Sequence, residues 1–402
     1  MTNKNWHAMS VVIAAAWFIV TGQISADDWL TYRHDPTRSG VSSESLDFSR
    51  LQQAWSWQSP HPPASAWSGP AKWDAYAGIR GLQSMRNYDP VFSVIATADA
   101  VYFGSSVDDT VRRLDLSNGK AEWAYTTGGP IRIAPTFADG KLYFGSDDGN
   151  AYCLAAESGE LVWRVTPRET LASAPTETAR QIINNQRAIT LWPVRSGVAV
   201  LDNRAYFSAS MLPWQPSYLC CVDAATGQRD VDGTFLETFN GQTMEGAIAL
   251  SLERVVVPQG RVAPTLFDRG TGKGLGSLKG GGGCFVVVTP DGAVIHGPGN
   301  KTGWVTNSDS KSREVIATYK GGKVLCLDGD ISFLLTNDSL VATNFRSKKV
   351  LWKNRVQQFH TMIVTANAVI CGGDGLVVAY DRTTGTKAWE TAADGHVHDL
   401  AV

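Results

Sequence analysis

The chain has 402 residues, 43% of them hydrophobic, and carries a formal net charge of −2 at pH 7. A near-neutral chain without a basic run has no electrostatic footprint for nucleic acid, so we expect none as a partner. Its 39 glycines and 14 tryptophans are typical of many short strands separated by glycine turns.

The N-terminus is predicted to be a cleavable signal peptide, residues 1–26. Lys4 precedes the apolar run Met9–Val20, which is too short for a permanent bilayer span, and Ala26 offers a small residue before a cut at Asp27. We therefore expect a periplasmic or secreted protein that meets the membrane only during export. An uncleaved anchor or a buried helix is the alternative.

A repeat of about 40 residues follows. Val101-Tyr-Phe-Gly-Ser is copied as Leu142-Tyr-Phe-Gly-Ser, and an Asp-x3-Gly-x3-Trp frame returns along the chain, weaker in some copies. In this frame the Asp can accept backbone hydrogen bonds, the Gly can adopt positive φ, and the Trp can fill the gap between sheets. The residues of the repeat are Asp115, Gly119, Trp123, Gly159, Trp163, Asp223, Gly227, Asp268, Gly272, Trp352, Asp381, Gly385 and Trp389.

Four strand patterns per repeat predict an all-β fold, a β-propeller of four-stranded antiparallel blades, rather than a solenoid. We count seven full blades. Residues 51–57 resemble a leftover outer strand and residues 396–402 a leftover inner strand, which predicts an eighth, incomplete blade. Residues 27–402 then form one propeller, with inserted loops at 58–90 and 166–190.

These turns and strands resemble the PQQ-like (pyrrolo-quinoline quinone repeat) propeller family. Trp29–Asp35, followed by Arg38-Ser-Gly40, is similar to the N-terminal segment of secreted bacterial members. The resemblance implies the fold, but the same blades occur in quinoprotein alcohol dehydrogenases and in a non-catalytic outer-membrane assembly lipoprotein. Function must therefore come from the site.

The six cysteines lie mostly in apolar runs, so we expect most of them to fill the core. Cys220 and Cys221 are adjacent, and the resemblance to quinoprotein dehydrogenases implies a possible vicinal disulfide over a cofactor ring. Their surroundings read instead as an ordinary third strand, which a ring between adjacent cysteines would disrupt.

Polar residues that begin the inner strands are expected to line the central channel. They are candidates for binding an anionic ligand or a metal ion, and the alternative is that they are only solvated. The candidates are Arg132, Arg195, Glu245, His360 and His396. His398 follows two residues after His396, on the same strand face, but no third metal ligand can be named from the sequence.

Two aspartate pairs, 108–109 and 147–148, suggest calcium, although turn chemistry explains them better.

We find no convincing catalytic residue. The preferred interpretation is a non-catalytic, exported, monomeric scaffold without a cofactor, which binds a protein or a small ligand at the channel face. One alternative is a PQQ-dependent alcohol or sugar dehydrogenase, with PQQ and calcium. Another is the propeller part of a longer protein whose activity lies beyond Val402.

Overall fold

The computed structural model describes residues 28–66, 91–167, 181–184, 186–260, 262–283, 285–298 and 303–402. The predicted signal peptide and Cys284 lie outside these ranges, as does most of the two inserted loops. Within the described ranges the named elements are β-strands, and no helix there is long and apolar enough to cross a membrane. The all-β prediction is confirmed.

The first four blades are each a four-stranded antiparallel sheet whose strands follow chain order. Blade 1 consists of β1 Val94–Ala96, β2 Ala100–Gly104, β3 Thr110–Asp115 and β4 Ala121–Thr126. Blade 2 consists of β5 Thr136–Ala138, β6 Lys141–Gly145, β7 Ala151–Ala155 and β8 Leu161–Val165. A hairpin, β9 Gln181–Asn184 and β10 Arg187–Thr190, follows. Blade 3 consists of β11 Ala199–Leu201, β12 Arg204–Ala209, β13 Ser217–Asp223 and β14 Phe235–Phe239. Blade 4 consists of β15 Ala249–Leu250, β16 Arg254–Gln259, β17 Val262–Asp268 and β18 Gly274–Ser277.

The remaining blades follow the same order. Blade 5 consists of β19 Phe285–Val288, β20 Val294–Gly297, β21 Trp304–Ser308 and β22 Val315–Lys320. Blade 6 consists of β23 Gly322–Asp328, β24 Ile331–Thr336, β25 Ser339–Asn344 and β26 Val350–Arg355. Blade 7 consists of β27 Phe359–Val364, β28 Ala368–Asp381 and β29 Lys387–His396. In β28, residues 369–373 pair with β27 and residues 374–380 pair with β29, so this long strand fills both middle positions.

The antiparallel order gives the propeller two distinct faces. The first face carries the turns that join the first strand of a blade to the second and the third to the fourth. The second face carries the turns between the second and third strands, together with the connections from blade to blade. A residue that begins an inner strand therefore lies at the second face.

The residues of the repeat frame form contacts between neighbouring blades. At the turn after β3, the Asp115 carboxylate accepts the backbone N–H of Ser117 at 2.7 Å, and Gly119 has a φ of 72°. The Trp123 indole N–H donates to the Ala156 carbonyl of the next blade at 3.0 Å, and its ring lies against Gly159. A Cβ on that glycine would come within 2.7 Å of the ring, so only glycine fits there.

The prediction of an eighth blade is wrong, because the described residues form seven blades. Residues 51–57 are not a strand, yet Trp55 packs against Gly119 and donates to the Leu116 carbonyl at 2.7 Å, as a blade tryptophan would. Phe48 likewise contacts the Trp389 ring, with 6.2 Å between the ring centroids. Extended segments, including the packed residues 400–402, occupy the space between blades 7 and 1 without forming a sheet.

The N-terminal segment, residues 28–42, closes the channel at the first face. Its backbone pairs with Ala96 of blade 1, and its carbonyls accept hydrogen bonds from Phe137, Leu250, Val288 and Val364 of blades 2, 4, 5 and 7. Arg33 donates to the Leu325 carbonyl of blade 6 at 3.3 Å. We call this segment the plug, because it touches six inner strands near the ends that reach the first face.

Candidate functional site at the second face

A buried cluster of four charged residues lies at the second-face end of blades 2 to 4. Arg132 Nε donates to Asp147 Oδ2 at 2.8 Å, and Arg195 donates to both Asp147 oxygens at 2.9 Å. Glu245 Oε1 lies 3.9 Å from Arg195 Nη1. We call this set the arginine cluster; two positive and two negative side chains balance within it.

The arginine cluster is built into the fold rather than presented to a ligand. Arg195 is 1% exposed, Glu245 2% and Asp147 1%. Arg132 Nη1 also donates to the Ala64 carbonyl at 2.7 Å, which attaches the loop before residue 66 to this end of the channel. The sequence analysis expected Arg132, Arg195 and Glu245 to line the central channel, and the structure buries all three.

Charge balance also sets the chemistry of Asp147. Burial acts to raise the pKa of this carboxyl, but Arg132 and Arg195 outweigh burial and hold the pKa below its usual range. A carboxylate held in this way is a weak base, because both of its oxygens are already committed to guanidinium donors. The arginine cluster is thus suited to fixing three blades together rather than to accepting a proton.

The predicted histidines form a second group, at the second-face edge of blade 7. Asp374 Oδ1 accepts short hydrogen bonds from His360 Nε2 and His396 Nδ1. The His398 ring lies beside both, with centroid distances of 5.3 Å to His360 and 5.7 Å to His396. These four residues are called the histidine cluster below. The hydrogen bonds from the two histidines lower the pKa of Asp374.

Three strands of blade 7 deliver these side chains to one place. His360 is the second residue of β27, and His396 is the last residue of β29, directly opposite Asp374 in the register. The register shifts at His360, and again between Asp374 and Leu376, where Gly375 has a φ of 76°. Such bulges re-aim side chains, which turns His360 and Asp374 toward each other.

The position of His396 corrects one expectation and completes another. It ends the outer strand of blade 7 and does not begin an inner strand of an eighth blade. No third ligand beside His396 and His398 could be named from the sequence, but the structure places Asp374 and His360 beside them. The nitrogen and oxygen atoms of His360, Asp374 and His396 lie within 4.8 Å of one another, an arrangement that could hold a metal ion.

The adjacent cysteines do not form the possible vicinal disulfide. Cys220 and Cys221 are free, buried residues in the middle of β13, paired with both neighbouring strands. Successive side chains of a strand point to opposite faces, so Cys220 packs between blades 2 and 3 and Cys221 packs on the other side. The expectation that cysteines fill the core is confirmed for the five described ones.

The four aspartates that suggested calcium bond groups of the protein. Asp108 pairs with Arg112 and Asp109 with Arg187, while Asp147 belongs to the arginine cluster. Asp148 accepts from the Tyr152 hydroxyl at 2.5 Å. These contacts agree with a structural role in the turns, because each carboxylate already bonds a group of the protein.

One aromatic side chain is prominent on the second face. Trp214, in the turn between β12 and β13, is 66% exposed. Tryptophan is enriched at the centre of protein interfaces, where its large surface is buried on binding. Leu252, in a turn of the first face, has a similar exposure of 77% and serves below as its comparison.

Comparison with known proteins places the chain in a class of repeat propellers. The family model described as outer membrane protein assembly factor BamB matches residues 107–195 and 265–402, more than half of the chain. The chain belongs to this family of PQQ-like propellers, as the repeat had indicated. No curated protein sequence matches it.

Solved structures of two functional kinds share the fold. A europium-containing methanol dehydrogenase superposes with a TM-score of 0.62 and 11% identity, over 93% of this chain and 86% of its own. Quinohemoprotein alcohol dehydrogenase from Comamonas testosteroni gives 0.62 and 14%, over 94% and 75%. BamB from Moraxella catarrhalis gives 0.53 and 14%, over 77% and 90%. At these identities the likeness shows the fold alone.

Proposed function

We propose that this chain is a non-catalytic, exported β-propeller that binds a partner protein at its second face. One observation carries the proposal: the charged residues at this end of the channel pair with one another inside the protein. Arg132, Arg195 and Glu245 are buried with Asp147 in a balanced cluster. The arginine cluster therefore forms a rigid part of the second face rather than a set of free acid, base or anion-binding groups.

Closure of the other end supports the same proposal. The plug bonds the inner strands of six blades, so the first face is held by the chain's own backbone. We therefore place the binding surface at the turns and connections of the second face, where Trp214 is exposed. The family's description as an outer membrane protein assembly factor supports export and a protein partner. A protein of this kind acts as a monomeric scaffold.

A PQQ-dependent dehydrogenase is the second candidate, favoured by the likeness to two alcohol-oxidising enzymes. Such chemistry needs a carboxylate that takes up a proton from the alcohol. Asp147 is held by two arginines and is a poor base, and Glu245 lies beside Arg195. Cys220 and Cys221 are separate core thiols, which also speaks against a disulfide over a cofactor ring.

Site-specific photo-crosslinking in intact cells tests the scaffold proposal. A photoreactive residue is placed at Trp214 on the second face and, as a matched control, at Leu252 on the first. We expect one discrete, reproducible adduct with an envelope protein from position 214 and none from position 252. Equal adducts from both positions, or none from position 214 and other exposed positions of the second face, would contradict a second-face docking site.

A further inference from the structure

We propose that His360, Asp374, His396 and His398 form a binding site for one divalent ion of the zinc class. The site lies at the second-face edge of blade 7, apart from the arginine cluster of blades 2 to 4. The inference rests on the geometry of these four side chains and does not depend on the scaffold proposal.

The spacing of the three imidazole rings matches tetrahedral coordination. Zinc lies about 2.0–2.1 Å from a ligating nitrogen, so the ring centroids lie about 3.2 Å from the metal and about 5.2 Å from one another. The observed centroid distances are 5.5 Å for His360–His396, 5.3 Å for His360–His398 and 5.7 Å for His396–His398. All three pairs therefore lie within about half an ångström of the value for a shared metal.

The donor atoms are already gathered around one point. Nε2 of His360, Nδ1 of His396 and a carboxylate oxygen of Asp374 lie within 4.8 Å of one another. An ion would take the place of the two hydrogen bonds to Asp374, and the same three atoms would be its ligands. His398 completes the set as a fourth ligand by a rotation of its side chain.

Donor type selects the class of ion. Imidazole nitrogen suits zinc, copper, nickel and iron, whereas calcium and magnesium are bound by sets of oxygen atoms. Three histidines with one carboxylate supply four ligands of the types that tetrahedral zinc accepts. We therefore expect Zn²⁺ and its spectroscopic substitute Co²⁺ to bind here, and Ca²⁺ not to compete.

Access and nearby charge fit a site of moderate strength. The side chains of His360, Asp374 and His396 are 29%, 32% and 64% exposed, so an ion can enter from solvent. Lys323 donates to the Phe359 carbonyl at 2.7 Å and lies close enough to interact with the charge of Asp374. This ammonium opposes a bound cation, so we expect Lys323→Gln to tighten binding.

Calorimetric titration of the chelator-treated protein with Zn²⁺ tests the proposal, using a purification tag without histidine. We expect one ion per chain, and a Co²⁺ absorption spectrum of four-coordinate type. His360→Ala, Asp374→Asn and His396→Ala should each weaken binding at least about 100-fold, beyond the 10- to 100-fold typical of changes to outer-shell partners. His61→Ala, an exposed histidine that is not one of the four cluster residues, is the matched control and should not change binding.

Two results would overturn the proposed metal site. Absence of saturable Zn²⁺ binding by the folded wild-type protein would show that the cluster is a hydrogen-bonded latch and would overturn the proposal. Binding that is unchanged in the His360 and Asp374 variants would overturn it as well. If circular dichroism shows that a variant is unfolded, His396→Gln replaces it, because that side chain is largely exposed.

Discussion

Replacing Asp147 with asparagine is the sharpest test of the arginine cluster. The change keeps the shape of the side chain but removes the charge that holds Arg132 and Arg195. Removing one partner of a buried ion pair costs about 3–5 kcal/mol, because the remaining charges stay buried without compensation. We expect a loss of that size in the free energy of unfolding for Asp147→Asn.

The same loss can be expressed as a melting temperature. Unfolding entropy is about 2.1 cal/mol/K per residue, or about 0.8 kcal/mol/K for about 375 residues that unfold together. A loss of 3–5 kcal/mol then lowers Tm by about 4–6 °C. Asp330→Asn is the matched control, since Asp330 pairs with Arg346 at 2.7 Å on the exposed surface. An exposed pair contributes about 0–1 kcal/mol, so this variant should melt within about 1 °C of wild type.

Differential scanning calorimetry of both variants measures the change in Tm, and chemical denaturation measures the change in the free energy of unfolding. The pH gives an internal check. Because the pKa of Asp147 is lowered in the folded protein, its stabilisation is present above the unfolded pKa of about 3.9 and is lost as pH falls through the folded value. The gap between Asp147→Asn and wild type should therefore be full at pH 7 and shrink below about pH 4. A loss at pH 7 no larger than that of Asp330→Asn would refute the reasoning.

Three further predictions concern the plug, the thiols and export. Arg38→Met should destabilise the protein by about 2–4 kcal/mol in urea unfolding, because buried Arg38 donates to Ile248 and to residues of its own segment; unchanged stability would show that the plug is not held in this way. Cys220 and Cys221 should resist a thiol reagent in the native state and react after denaturation without reductant, since burial raises the pKa of both, that of Cys221 to about 11; a pair that reacts only after reduction would demonstrate a disulfide. Mass spectrometry of the exported protein should find Asp27 as the first residue, and an intact N-terminus would contradict the signal peptide.

The blades could be predicted from the sequence because their defining contacts are local. A turn such as Asp115–Gly119 closes on itself. At the matching turn of the next blade, Gly159 is required by Trp123 of the preceding blade. The number of blades could not be predicted in the same way. Trp55 and Trp389 occupy blade positions whether or not strands lie between them, so the motif alone cannot distinguish an eighth sheet from two packed segments.

The site was predicted by position but not by burial. The residues that begin inner strands do reach the second face, yet their exposure depends on partners in the turns between second and third strands. Asp147 and Asp374 each stand two residues after a glycine, Gly145 and Gly372, near the end of a second strand. Each contacts the polar residue at the start of its own blade's inner strand, Arg132 or His360. This spacing can be read from the sequence, where turn chemistry explained Asp147 and nothing singled out Asp374.

The most direct test of the central claim is a calorimetric titration of the folded protein with PQQ in the presence of calcium. We expect no saturable binding, because the carboxylates of the arginine cluster are used within the fold. Saturable binding in the micromolar range or tighter, accompanied by PQQ-dependent oxidation of an alcohol or sugar, would contradict the scaffold and establish a dehydrogenase instead.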